Sequence, residues 1–248
     1  MITYSEISKI LNLNEEKDRK AAEILRNIVS HNQEIDINIA VEKIKNKIVI
    51  IFGAGPSLKN DLLKLKNFIN DKICKISADG ATTCLIENKI YPDFIFTDLD
   101  GNVEKIIESN EKKSIVVLHA HGDNIENLKI YAKKFKNLIL TTQVPNANLK
   151  GIYNFGGFTD GDRALFFALN FNSKIVILAG MDFGNIVGEY SKKVSGDRLK
   201  FKLKKLEIGK RLIEERCKNL NNVYDFTENG NLNLRKIDVK EIEKILKF

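Results

Sequence analysis

The chain of 248 residues contains no tryptophan, three prolines, three cysteines and three histidines. So little proline beside 43% hydrophobic residues excludes collagen-like and disordered chains. It leaves enough apolar surface for one large domain or two small ones. Long apolar runs are missing too. Stretches such as Ile48–Phe52 and Ile175–Ala179 fall far short of the roughly 20 residues that a bilayer-crossing helix needs. The first residues also lack the basic start and apolar block of a secretion signal, so no membrane contact and a cytoplasmic location are expected. Cys74, Cys84 and Cys217 are odd in number and spaced unlike thiolate metal motifs, which predicts reduced thiols and no disulfide framework.

Forty Lys and Arg against 33 Asp and Glu give a net charge of +7, which favours anionic partners. The lysines alternate with glutamates and are not interleaved with aromatic residues, so they read as a solvated surface and no nucleic-acid partner is expected.

Residues 1–46 carry apolar residues at helical spacing, with Ser5 and Asn14 as start signals. From Lys47 the texture changes. Short β-branched runs at 47–52, 73–77, 94–97, 114–118, 138–141 and 175–179 alternate with helical patterns at 57–70, 80–88, 103–110, 124–135 and 161–171. Such alternation needs crossover connections and predicts an α/β fold with a doubly wound, mainly parallel sheet, helices on both faces and a helical N-terminal segment in front. Leu58, Leu62, Leu65 and Ile69 form the stripe that packs one crossover helix. A later basic helix carries Leu199, Leu203, Leu206, Ile213, Cys217 and Leu220 on one stripe, with its lysines assigned to the solvated face. A strand at Val223–Phe226 and a short helix end the chain. The predicted organisation is a helical segment over 1–46, an α/β domain over 47–226 and a helical tail over 227–248, with the terminal helices as candidates for a homodimer surface.

Ligands in open α/β sheets bind outside the carboxyl ends of the strands. Four strand ends stand out. Gly53-Ala54-Gly55-Pro56-Ser57 is a tight turn into a helix whose free N–H groups suit a phosphate. Leu58 occupies the third glycine position of the dinucleotide fingerprint, so that fingerprint fails. Thr97-Asp98-Leu99-Asp100 presents two carboxylates at i and i+2, on the same side of an extended chain, where a hard cation such as Mg²⁺ would offset their repulsion. His119-Ala120-His121-Gly122-Asp123-Asn124 has the spacing of a zinc-hydrolase motif, but His31 is the one other histidine and Asn124 replaces the closing ligand. A catalytic zinc is therefore not expected, and Asp123 reads as a cap or as a further carboxylate facing Asp98 and Asp100. Gly156-Gly157-Phe158-Thr159-Asp160-Gly161-Asp162-Arg163 opens an apolar helix, and an arginine in that first turn opposes the helix dipole unless an anion sits beside it.

In combination and order these segments, with Ala78-Asp79-Gly80-Ala81, resemble the archaeal 6-hydroxymethyl-7,8-dihydropterin pyrophosphokinases over about residues 47–226. That domain is also similar to the nucleotide-binding half of thiamin pyrophosphokinases and to flagellin-modifying glycosyltransferase-like proteins. The resemblance implies transfer of diphosphate from ATP to a reduced pterin alcohol. It implies Mg²⁺ on Asp98, Asp100 and Asp123, with His119 and Arg163 stabilising phosphate. It also implies substrate positioning by Gly53, Gly55, Ser57, Asp79, Gly80, Thr159, Asp160 and Asp162. Two rivals remain open at this stage: a glycosyltransferase using the same Asp-x-Asp metal pair on a sugar nucleotide, and a non-enzymatic phospholigand binder.

Overall fold

Thr3 opens the first helix by accepting a hydrogen bond from the Glu6 N–H, and the Glu6 carboxylate accepts one from the Thr3 N–H in return. The computed structural model describes residues 1–145 and 149–246. Helix α1 (Tyr4–Leu11) stops at Asn12, which adopts a left-handed φ of 52°. Asn14 then caps α2 (Glu15–Ile28), and α3 (Ile37–Ile44) completes the predicted helical segment. Strands β1 (Ile48–Phe52), β2 (Ile73–Ala78), β3 (Phe94–Thr97) and β4 (Ile115–Ala120) follow. They alternate with helices α4 (Leu58–Leu65), α5 (Ala81–Glu87), α6 (Val103–Glu111) and α7 (Ile125–Tyr131). Then come β5 (Leu138–Thr142), β6 (Ile152–Tyr153), α8 (Asp160–Asn170), β7 (Ile175–Ala179), α9 (Gly196–Cys217), β8 (Val223–Asp225), β9 (Arg235–Lys236) and α10 (Val239–Leu246).

Among the described residues nine strands form one sheet in the order β6-β5-β4-β3-β2-β1-β7-β8-β9, each pairing parallel to its neighbour. Side chains alternate across it. Val49 and Ile51 join Ile76, Phe94, Phe96 and Val117 under α8 and α9, whereas Ile50 and Phe52 pack on the opposite face against α4, α5 and α10. Leu58, Leu62 and Leu65 are fully buried there, each contributing roughly 1.5–3 kcal/mol. Ile69 lies beyond the end of α4 and is half-buried, because that helix is shorter than its stripe implied.

The faces of the helical segment are filled from within the chain. Ala21, Ala22 and Leu25 of α2 cover β4 and β5, and Ile7 and Leu11 of α1 pack with Ile208 and Leu212 of α9. In α9 the buried stripe is Ile208, Leu212, Ile213 and Cys217; Leu199, Leu203 and Leu206 are half-buried and Leu220 is exposed. No helix among the described residues is long and apolar enough to cross a membrane, and all three cysteines are free and buried.

The chain builds outward from β1 to β6, then returns through α8 to place β7 on the other side of β1. The helices after β1 and before β7 lie on opposite faces. A crevice therefore opens at the carboxyl ends of β1 and β7, the switch point of the sheet.

Candidate active site

Gly53, Ala54 and Gly55 leave β1 beside Gly180, Met181 and Asp182, which leave β7. The ladder runs one step further, with Gly53 N donating to Ala179 O and Gly55 N to Gly180 O, both at 2.9 Å. A Cβ on Gly55 would lie 2.2 Å from Asp182 Oδ2, so only glycine permits this approach. Asp182 Oδ2 accepts from Ser57 N at 3.1 Å and from Ser57 Oγ at 2.7 Å. The expectation that Ser57 holds a phosphate is thereby corrected: Asp182 already takes its N–H and its hydroxyl, and Ser57 is buried between Asp182 and Asp61. Gly53, Ala54 and Gly55 do line the cleft.

The acids gather differently from the expected set. Leu99 has a φ of +66°, so the chain turns between Asp98 and Asp100 and the two do not project together from an extended strand. Asp98 is buried, with Oδ2 3.0 Å from His121 Nε2. Asp100 is exposed at the rim, 3.7 Å from Lys192 Nζ. Asp79, just past β2, accepts from Thr97 Oγ1 at 2.5 Å, and Asp160 opens α8. One carboxylate oxygen from each of Asp79, Asp98 and Asp160 lies within 4.8 Å of the others. Asp123 is exposed and lines the cleft without joining this cluster.

The cluster is electrostatically loaded. Burial, then the charges of Asp98 and Asp100, push the Asp79 carboxyl up to about 8. Burial and Asp98 also push Asp160 well above the usual range. For Asp98 burial acts upward as well, but the hydrogen bond and charge of His121, aided by Lys205 and Arg163, hold it below the usual range. Among the described residues Oδ1 of Asp98 and Oδ1 of Asp160 are buried without a hydrogen-bond partner, and the nearest cation to the latter is the Arg163 guanidinium at 3.6 Å. Two orphaned carboxylate oxygens beside a third acid, all hard oxygen donors, are a fit for a divalent cation.

Two residues expected at the chemistry stand back from the cleft. Asp162 accepts from the N–H groups of Phe158 and Thr159 and from Thr159 Oγ1, closing a capping box at the start of α8, and it does not line the cleft. His119 is buried with Nδ1 3.1 Å from Thr141 Oγ1, and burial followed by the charge of Arg163 pushes its pKa well below the usual value. It is a neutral imidazole away from the cleft, and His121 takes the exposed place. Asn124, the residue that broke the zinc pattern, donates to the carbonyls of Asp98 and His119 and so ties two strand ends together.

Arg163 is buried between two partners. Its NH2 donates to Gln143 Oε1 at 2.9 Å, and its NH1 lies 3.6 Å from Asp160 Oδ1. Thr159, Asp160, Arg163, Asp79 and Gly80 all face the cleft, whose volume is about 820 Å³. A Cβ on Gly80 would lie 2.0 Å from Tyr190 O, and one on Gly188 would lie 2.3 Å from Ala54 O. The segment through 186–194 therefore rests directly on the glycine turns as a roof.

Facing the acids are Lys192, Arg198, Lys202 and Lys205. This corrects the assignment of the α9 lysines to a solvated face: Lys202 and Lys205 are half-buried, and burial lowers the Lys202 pKa. Lys202 Nζ donates to Ser191 Oγ and to Lys192 O. Lys202 stands eleven residues before Ile213, about three full turns and so on the same side of α9, which was the available signal.

The family described as MptE-like 6-hydroxymethylpterin diphosphokinase matches residues 22–188. A 6-hydroxymethyl-7,8-dihydropterin pyrophosphokinase of Methanocaldococcus jannaschii is 44% identical over 223 residues, which is 86% of this chain and 92% of that protein. Its namesake in Pyrococcus furiosus is 40% identical over 214 residues, 85% of this chain and 90% of that protein. The structure of MAf glycosyltransferase from Magnetospirillum magneticum AMB-1 superposes on 93% of this chain and 39% of its own, with a TM-score of 0.57 at 16% identity, a likeness of fold alone. With identity at this level over nearly the full length of both relatives, the chain belongs to the MptE-like 6-hydroxymethylpterin diphosphokinase family.

Proposed function

We propose that this protein transfers diphosphate from ATP to the hydroxymethyl oxygen of 6-hydroxymethyl-7,8-dihydropterin, releasing AMP, with Mg²⁺ on Asp79, Asp98 and Asp160. The observation that carries this reading is the three-carboxylate cluster, with two unpartnered oxygens, facing a lysine wall at the switch point of the sheet. When bound, the cation supplies positive charge to phosphate oxygens.

In the transfer, the alcohol oxygen bonds to the β-phosphorus as the bond from that phosphorus to the α,β-bridging oxygen breaks. AMP leaves with the bridging oxygen, and the hydroxyl proton is released to water. Negative charge grows on the leaving oxygen and on the β-phosphoryl oxygens, so catalysis rests on positioning and charge compensation. Lys202, Lys205, Lys192 and Arg198 supply that compensation from the α9 side. Arg163, held by Gln143, presents a fixed guanidinium from the other. His121 keeps Asp98 ionised. Gly53, Gly55 and Gly80 line the cleft with bare backbone, and Asp100 and Asp123 guard the mouth. Dependence on ATP assigns the reaction to the cytoplasm.

Incubation with ATP, Mg²⁺ and the pterin alcohol is expected to yield AMP and pterin diphosphate in equal amounts. Hydrolysis of a sugar nucleotide, with no AMP from ATP, would overturn the reading in favour of glycosyl transfer.

A further inference from the structure

A second, smaller cleft of about 240 Å³ adjoins the large one. Its outer wall comes from the α1–α2 hairpin, through Leu11, Asn12, Leu13, Asn14 and Lys17. Its inner wall is common to both clefts: Asp98, His121, Phe158, Arg163, Phe201 and Lys205 line each of them.

The floor of the small cleft is a closed hydrogen-bond network. Asp18 accepts from Tyr4 Oη at 2.6 Å, from Gly122 N at 2.6 Å and from Gln143 Nε2 at 2.7 Å. Gln143 Oε1 in turn accepts from Arg163. Burial of Tyr4 and its bond to Asp18 raise the phenol pKa far above the usual value, so the phenol remains a donor. One buried carboxylate thus fixes the hairpin, the loop after β4 and the end of β5 to the guanidinium that faces both clefts.

Two-substrate phosphoryl transfer requires donor and acceptor on opposite sides of the transferred group, roughly in line. A shared wall carrying the acid Asp98 and the cations Arg163 and Lys205 is where such a group would pass. Volume then assigns the sides. The larger cleft falls in the range of about 300–1,000 Å³ that holds drug-sized ligands, and the smaller lies just under it, too small for a nucleoside triphosphate. Leu11, Leu13, Phe158 and Phe201 give it apolar lining among polar and charged side chains, which suits a flat ring with polar edges.

We propose that the small cleft is the acceptor subsite, holding a bicyclic heteroaromatic alcohol between the α1–α2 hairpin and the Phe158 and Phe201 rings, hydroxyl toward Asp98 and Arg163. This rests on the diphosphotransferase reading. It makes the helical N-terminal segment a determinant of acceptor choice and not only a packing element.

The test uses Leu13→Ala, which removes one apolar wall, and Lys17→Trp, which sets an indole over the mouth from an exposed helical position. Steady-state kinetics with each substrate varied is paired with equilibrium binding of 6-hydroxymethyl-7,8-dihydropterin followed by its fluorescence. The expected result is a rise of about tenfold or more in KM and in the dissociation constant for the pterin, with KM for ATP within about twofold. Unchanged pterin binding in both variants, or a shift confined to ATP, would overturn the assignment. Wild-type protein that makes no pterin diphosphate would instead refute the diphosphotransferase reading. In that event binding alone decides the subsite, and absence of binding to the wild type overturns it as well.

Discussion

Replacing Asp79 by Asn should make the metal-free protein more stable while abolishing its activity. Burial and two neighbouring acids raise this carboxyl from 3.8 to about 8. A folded-state pKa raised in this way means that ionisation burdens the folded state. The burden is absent below about pH 4, grows as pH rises, and is complete above pH 8. At pH 7 about three pH units separate the solution from the unfolded-state pKa, equivalent to about 4 kcal/mol at most. Residual solvent access reduces this to roughly 2–4 kcal/mol. Asparagine suits the site: it tolerates the φ of +38° at this position and retains an oxygen to accept from Thr97. At roughly 2–4 °C per kcal/mol for a chain of this size, the variant should melt about 5–10 °C higher in EDTA at pH 7. The gain should shrink markedly at pH 5. Added Mg²⁺ should raise the melting temperature of the wild type and leave the variant nearly unmoved. Calorimetry in EDTA that finds the variant melting no higher than wild type at pH 7 would mean that the cluster carries no stored repulsion.

Further outcomes follow from the same geometry. Lys202→Ala and Lys205→Ala should each lower kcat/KM by about 10–100-fold, whereas Lys200→Ala, on the exposed side of α9, should change it less than twofold in the same assay. His121→Asn removes the partner that holds Asp98 below the usual range, so the acid limb of the pH–rate profile should move upward. Ser57→Ala should cost about 1–3 kcal/mol in urea unfolding, as loss of a buried hydrogen bond to a carboxylate does, with KM for ATP unchanged. A raised KM for ATP would restore Ser57 to nucleotide binding.

Much of the fold was legible because each strand writes its own burial. Ile48–Phe52 and Ile175–Ala179 are continuous apolar runs because β1 and β7 are central and covered on both faces. Strands β6 and β9 escaped notice because two residues cannot display an alternation. At the site, chain order brought the right segments forward but not the right grouping. Asp98 lies two residues from Asp100 in sequence; in three dimensions the left-handed turn at Leu99 sends Asp100 to the rim, the pairing of β2 with β3 brings Asp79 to Asp98, and the start of α8 brings Asp160. His119 and His121 share a segment, yet β4 ends at Ala120, so the first stays buried within the sheet and the second stands past the strand end, at the cleft. Gln143 and Asp18 gave no signal at all, since a buried amide and a buried helical aspartate look like surface residues until their partners are known.

The proposed cation site joins Asp79, Asp98 and Asp160. Titration of the nucleotide-free protein with Mn²⁺, followed by electron paramagnetic resonance, tests it most directly. One site per chain is expected in the wild type, tighter as pH rises through about 8 because the acids must release protons to bind. Asp160→Asn and Asp98→Asn should each lose that site. Equal Mn²⁺ affinity in wild type and both variants would contradict it.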